Sequence, residues 1–242
     1  MQTAIPALFM RGGTSRGPFF AEADLPADTE LRDRVLLAAM GSPDRRQIDG
    51  LGGANPLTSK VGIVRPGSEP DVGLDFLFAQ VVVDRAFVDT KPNCGNMLAA
   101  VVPYALETGM IPPRGETTTV RVLTRNTGMK CDITVQTPGG RVRYDGDARI
   151  DGVPGTAAPI TIDFLDTAGS VCSGLLPTGR VRDRIDGIDV TCIDNGMPMV
   201  MIRATDLDRT GYEDVATLAA DEALKSRLEK LRLACGEAMG LG

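Results

Sequence analysis

Hydrophobic and polar positions along this chain mostly fall into short apolar runs cut by Gly, Pro and Asp, and one segment breaks that habit. From Met97 to Leu106 (MLAAVVPYAL) there is no charge, and the only polar side-chain group is the Tyr104 hydroxyl. Glu107, Thr108 and Gly109 then follow as a helix C-terminus should. A helix apolar on every face must be buried on every face. Its first backbone N–H groups, around Cys94 to Met97, lack intrahelical acceptors. The helix dipole favours an anion beside them. Asn93-Cys94-Gly95-Asn96 therefore opens a buried helix where polar chemistry is expected. Two readings of Cys94 compete: an acid, base or anion-site residue, or a small core side chain, as free Cys commonly is.

The other elements read as many strands around few helices. Ala7–Met10 and Pro18–Ala21 are apolar runs joined by Arg11-Gly12-Gly13-Thr14-Ser15-Arg16-Gly17, a hairpin-like connection. Residues 28–40 form an amphipathic helix with Asp28 or Thr29 as its cap. A glycine-rich loop runs from Gly41 to Pro56. Further strands are expected at 61–64, 74–83, 118–123, 131–136 and 160–164. One wholly apolar helix among them predicts an α+β fold, a mixed sheet wrapped around that helix.

The second half begins to repeat the first. Residues 189–195 and 197–204 form two strands about a Gly196 turn and end in Thr205-Asp206-Leu207, as the first hairpin ends in Ala23-Asp24-Leu25. A long helix follows each, ending in Ala39-Met40-Gly41 and Ala238-Met239-Gly240. Residues 1–180 are thus expected to form a complete lobe. Residues 185–242 would begin a second, with the leucine stripe of a 215–239 helix (Leu218, Leu224, Leu228, Leu231, Leu233) left open for a second chain, a neighbour or further residues.

Composition narrows the partners. A net charge of −6 argues against nucleic acid, though not against an anionic small molecule at a locally positive site. No apolar run reaches membrane-spanning length and no signal-peptide pattern opens the chain, so a cytoplasmic location away from membranes is expected. The five cysteines form no C-x-x-C pair, and there is no histidine, so Ser-His-Asp and Cys-His couples are excluded and a metal centre is not expected. Lysine 60 stands out instead. It lies where the glycine-rich loop enters the apolar strand Val61-Gly62-Ile63-Val64. Partial burial at a strand mouth is the environment a lysine general base requires. A solvated loop-end lysine is the plainer alternative.

Five segments occur in order: Met10-Arg11-Gly12-Gly13-Thr14-Ser15, Met40-Gly41-Ser42-Pro43-Asp44, Gln47-Ile48-Asp49-Gly50-Leu51-Gly52-Gly53, Leu57-Thr58-Ser59-Lys60 and Asn93-Cys94-Gly95-Asn96. Together they resemble the 2-methylaconitate isomerase and 4-oxalomesaconate tautomerase family, and the likeness continues through Leu176-Pro177-Thr178-Gly179 into Asn195-Gly196-Met197-Pro198. The resemblance implies a diaminopimelate-epimerase-like fold of two similar lobes, each a sheet around a central helix, the second incomplete within these residues. It implies cofactor-free proton transfer beside a carboxylate, moving a double bond in a small unsaturated tricarboxylic acid.

On that resemblance Lys60 and Cys94 face the reacting carbon. Arg11, Gly12, Gly13, Thr14, Ser15, Ser59, Asn93, Gly95 and Asn96 bind the substrate. Relatives commonly carry lysine where this chain has Arg16. The compact 21–40 segment and the residue preceding Thr58-Ser59-Lys60 favour 4-oxalomesaconate, an intermediate of gallate catabolism. The alternatives are 2-methylaconitate or aconitate cis-trans isomerisation, amino-acid racemisation, and a non-catalytic anion-binding accessory protein. The expected partner is the tricarboxylate, with a homodimer allowed. Amino-acid racemisation in this fold wants two facing cysteines, and no second Cys-Gly-Asn segment occurs.

Overall fold

The computed structural model describes residues 3–241, which fall into two compact units, Met1–Leu165 and Asp166–Gly242. In the first unit β1 (Leu8–Gly12), β2 (Ser15–Ala21), β3 (Lys60–Pro66), β4 (Leu74–Val81), β5 (Val88–Asp89), β6 (Thr117–Thr124), β7 (Lys130–Gln136) and β8 (Thr161–Phe164) share one sheet. Their order is β1-β2-β3-β4-β6-β7-β8, with β5 beside β4. The β2–β3 and β4–β6 pairs are parallel and the remainder antiparallel. Every strand expected in residues 1–165 is present, with ends shifted by a few residues.

Period-2 alternation explains how this sheet is covered. Phe19, Val64, Leu74, Phe76 and Phe78 point to one face, where they join Val120, Val122, Ile133 and Val135 around the apolar helix residues Met97, Leu98, Val101, Val102 and Ala105. Phe20, Val61, Ile63, Leu77, Ala79 and Val81 point to the other face, beneath Leu36 and Met40 of α1 (Thr29–Met40). Strands β3 and β4 are therefore buried on both sides, and read as near-continuous apolar runs. By contrast, β6 and β7 alternate buried and half-exposed residues. On their outer face Arg121 grips Asp132 through Nε (2.8 Å) and Nη2 (2.9 Å). The α+β class and the sheet around a buried apolar helix are as the sequence predicts.

The central helix is not continuous. It forms α2 (Gly95–Leu98) and α3 (Val101–Glu107) with a break at Ala99 and Ala100. Pro103 is the physical cause: it has no N–H for the Ala99 carbonyl four residues back, and its ring crowds that carbonyl. Helix α1 is capped as its sequence indicates, with the Asp28 carboxylate accepting from Leu31 N at 2.8 Å and Gly41 left-handed (φ 79°) at its end.

In the second unit β9 (Asp183–Ile185), β10 (Ile188–Asp194) and β11 (Pro198–Ile202) form an antiparallel sheet. Ile188, Val190 and Cys192 pack on Leu231, Cys235 and Met239 of the C-terminal helical stretch. The hairpin, a 3₁₀ turn ending at Leu207 and a following helix repeat the order β1, β2, 3₁₀ turn, α1 of the first unit. Three details differ from expectation. The helix expected over 215–239 is two, α4 (Val215–Ala220) and α5 (Glu222–Ala238), because Asp221 leaves helical geometry and caps Leu224 N at 2.9 Å. The leucine stripe divides: Leu224 and Leu231 are buried, whereas Leu218, Leu228 and Leu233 are exposed, as are Met197, Met199 and Met201. The units part at Leu165 rather than at 180–185, because Gly169, Val171 and Cys172 donate to Asp194 and Leu175 accepts from it.

A partly buried ion cluster ties the sheet to the turn before α1. Arg65 Nε donates to Asp75 (2.9 Å) and its Nη1 to Glu22 (2.9 Å), while Ser68 N also donates to Asp75. Burial pushes the Asp75 carboxyl up, but the Arg65 and Ser68 hydrogen bonds outweigh it and hold the group below the usual aspartate range. A depressed folded-state pKa adds stability that is complete above the unfolded value and lost as pH falls through the folded one. Asp75→Asn should therefore lower the neutral-pH Tm and flatten the decline of Tm below about pH 4. Thermal unfolding from pH 7 to pH 3 tests this; an unchanged acid slope in the variant would refute it.

Candidate active site

The site forms where three elements meet: the β1–β2 turn, the start of β3 and the opening of α2. Lys60 is the first residue of β3 and only 8% exposed. Its Nζ lies 3.3 Å from Cys94 Sγ, within hydrogen-bond reach, and 5.4 Å from the centre of the Phe78 ring. Cys94 is the N-cap residue of α2, 9% exposed, and makes no side-chain cap bond to the helix. Its thiol is therefore left to the lysine. Cys94 thus borders the apolar core and meets Lys60, the one lysine buried among the described residues.

The β1–β2 hairpin packs against the backbone that carries this pair. Gly12 and Gly13 press on Asn96, and Gly17 presses on the Lys60 carbonyl oxygen so closely that a Cβ at either Gly12 or Gly17 would overlap backbone. Asn96 Nδ2 donates to Thr14 Oγ1 (2.8 Å) and Ser15 Oγ (3.4 Å), fastening the turn to α2. Arg11 Nη1 closes the turn on the Gly13 carbonyl at 2.8 Å. Arg16 lies directly across the hairpin from Arg11, its guanidinium over the Phe9 ring at 5.5 Å.

Behind Cys94, Asn93 Oδ1 accepts from Cys94 N (2.8 Å) and its Nδ2 reaches Thr124 Oγ1 at 3.5 Å. Gly95 leaves open space, its nearest neighbour being the Phe164 ring at 3.8 Å from a Cβ position. The opening amides of α2 lack intrahelical acceptors, as at any helix start.

Arg11, Gly12, Gly13, Thr14, Ser15, Lys60, Asn93, Cys94, Gly95 and Asn96 are thus brought together from three stretches of chain. Ser59 is different. It is completely buried, its Oγ donating to the Val81 carbonyl (2.7 Å) and accepting from Gln47 Nε2 (2.7 Å). Its hydroxyl hydrogen is committed to a backbone carbonyl and the side chain is shut off from the surface, so here it holds backbone.

Sequence reasoning passed over Gln47, Phe78 and Asn126. Asn126 acts as an extra peptide group, accepting from Phe78 N (2.9 Å) and donating to the carbonyls of Phe78 (2.8 Å) and Thr90 (2.7 Å). It secures β4 just beyond its pairing with β6, and with it the ring beneath Lys60. A lone Asn in a turn carries no signal of this. Gln47 does, because it opens the glycine-rich motif.

A buried amine within hydrogen-bond reach of a helix-end thiol can exchange a proton with it. Comparison with known proteins identifies the family. The model of the PrpF protein family matches residues 2–242. A 4-oxalomesaconate tautomerase of Pseudomonas putida is 58% identical over 241 residues, covering all of this chain and 67% of the relative. A (4E)-oxalomesaconate Delta-isomerase of Novosphingobium sp. is 55% identical, covering 98% of this chain and 66% of the relative. The crystal structure of a methylitaconate-delta-isomerase superposes with a TM-score of 0.89 at 42% identity, covering 98% of this chain and 62% of that one. The chain belongs to the PrpF family, and it spans about two thirds of the length of these relatives.

The close approach of β2 to Lys60 has a measurable consequence. Gly17→Ala should destabilise the first unit by about 1–3 kcal/mol, the usual result of overpacking. Urea unfolding measures it, and a midpoint equal to wild type would show that the contact yields freely.

Proposed function

We propose that this protein is a cofactor-independent isomerase that carries out a 1,3-proton shift on an unsaturated tricarboxylic acid, with 4-oxalomesaconate as substrate. The observation that carries the proposal is the 3.3 Å contact between Lys60 and Cys94 at the mouth of a buried helix. Lys60, as the free amine, takes a proton from the carbon beside the double bond. The C–H electron pair becomes a new C=C bond, the original double bond shifts, and the charge spreads onto a carboxylate as a dienolate. A proton delivered two carbons away completes the shift with no net change in atoms or electrons.

The surroundings suit such an intermediate. Donors aimed at the carboxylate stabilise charge that grows during reaction, and do so most in a site shielded from water. The opening amides of α2 are of this kind. Arg11 and Arg16, directly opposite each other on the hairpin, add positive charge at that edge of the sheet. The choice of 4-oxalomesaconate over a methylated substrate rests on identity, 58% and 55% to proteins named for oxalomesaconate against 42% to the methylitaconate enzyme.

Assays with 4-oxalomesaconate and 2-methylaconitate side by side test the substrate. Turnover of the second alone would overturn the assignment, and binding without turnover of either would make the protein an anion binder.

Two variants test the roles. Lys60→Met should reduce exchange of substrate C–H for solvent deuterium by at least about 10²-fold, the lower end of what a positioned general base contributes, with the fold intact by circular dichroism. Near wild-type exchange would remove Lys60 from the chemistry. Cys94→Ser should slow turnover less than Lys60→Met, since the thiol supports the lysine. An equal or greater loss would make Cys94 an obligatory acid or base.

A further inference from the structure

The glycine-rich segment Gln47-Ile48-Asp49-Gly50-Leu51-Gly52-Gly53 is a sequence motif that the proton-transfer reading leaves without a task. Most of its backbone donors are committed: Leu51 N and Gly52 N, for example, bond the Ala39 and Met40 carbonyls at the end of α1, at 2.9 and 3.2 Å. The loop is therefore no anion cradle. What it encloses is the Gln47 side chain, 1% exposed. Any side chain at Gly52 would overlap the Gln47 carboxamide.

Every polar atom of that carboxamide is used. Oε1 accepts from Ala54 N at 2.9 Å, and Nε2 donates to Ser42 Oγ at 3.1 Å and Ser59 Oγ at 2.7 Å. Gln47 and Ala54 both hold left-handed backbone, at φ 47° and 56°. That is a strained conformation for residues with a Cβ, which persists where surrounding structure over-determines it and clusters at functional sites. The tie ends beside the base. The hydrogen of Ser59 Oγ is given to the Val81 carbonyl, so the hydroxyl needs a donor from position 47. The Ser59 carbonyl is fixed by Val81 N (3.1 Å) and Gln80 Nε2 (2.9 Å). Lys60 is the next residue.

We propose that Gln47 is a positioning residue for Lys60: its buried carboxamide locks the Ser59 backbone, and so sets where the lysine amine sits against Cys94. The inference rests on Lys60 being the base. Gln47 touches no substrate, so its loss acts on kcat and not on KM. A misplacement of about 1 Å is enough to cost about 10²-fold in rate.

Three measurements test this. Gln47→Met fills the same space without hydrogen bonds; once corrected for folded fraction, its kcat for 4-oxalomesaconate should fall at least tenfold with KM within twofold of wild type. Wild-type kcat, or a loss confined to KM, would overturn the proposal. Gln47→Glu presents a carboxylate that cannot donate to Ser59 until protonated, so its kcat relative to wild type should rise several-fold as pH is lowered from 8 to 5. A flat ratio would overturn the hydrogen-bond account. Finally, a crystal structure of Gln47→Met should show Lys60 Nζ displaced from Cys94 Sγ by at least half an ångström. An unmoved pair would overturn positioning whatever the turnover, while inactivity of the wild-type protein itself would count only against the proton-transfer reading.

Discussion

A helix with no polar face can exist in water only inside something, and most of the first unit follows from meeting that demand. The stretch from Met97 to Leu106 has no polar side that it could turn to solvent. Strands β2, β3, β4, β6 and β7 each present apolar side chains to it. A sheet that curls round a helix must leave the helix ends at its rim. The N-terminal end, with its free amides and its cap residue Cys94, therefore lies where strand ends and turns are close by. The first residue of β3 is Lys60, and it arrives at that same rim. Burial of one segment thus fixes the meeting of two residues 34 positions apart.

The rim is held by close backbone approach as much as by hydrogen bonds. Gly12 and Gly17 let the β1–β2 turn lie directly on Asn96 and on the Lys60 carbonyl, without intervening side chains. Asn96, Asn93 and Asn126 then supply the donors and acceptors that strand pairing cannot provide at a sheet edge. On the opposite side, the loop after α1 supports the start of β3 through Gln47. The amine meets the thiol because backbone on both sides leaves it little else to do. Pre-organisation of this sort is what proton transfer from carbon needs, since the reacting groups must be in place before charge develops.

The second unit uses the same order of elements with less cover. One face of its hairpin packs on the C-terminal helix, while the methionines at 197, 199 and 201 remain exposed. The alternation that buries Val190 and Cys192 also sets which side chains of β11 face outward.

Much of this was legible in the sequence, and for definable reasons. Period-2 runs such as residues 117–124 and the wholly apolar 97–106 segment carry their burial in the local pattern, so strands, the buried helix and its role as the sheet's centre follow from residue order alone. Lys60 and Cys94 stood out because lysine at a strand mouth and cysteine at a buried helix start are unusual placements, and the fold brings them within 3.3 Å. What residue order did not determine were effects of tertiary contact. The break before α3 turns on whether surrounding packing lets Pro103 be accommodated within a continuous helix. The roles of Ser59, Gln47 and Asn126 depend on partners up to 48 residues away. A serine that faces a ligand and one that binds a distant carbonyl have the same local pattern. Only the folded chain decides between them, by bringing Val81 and Gln47 against Ser59 and burying its hydroxyl completely.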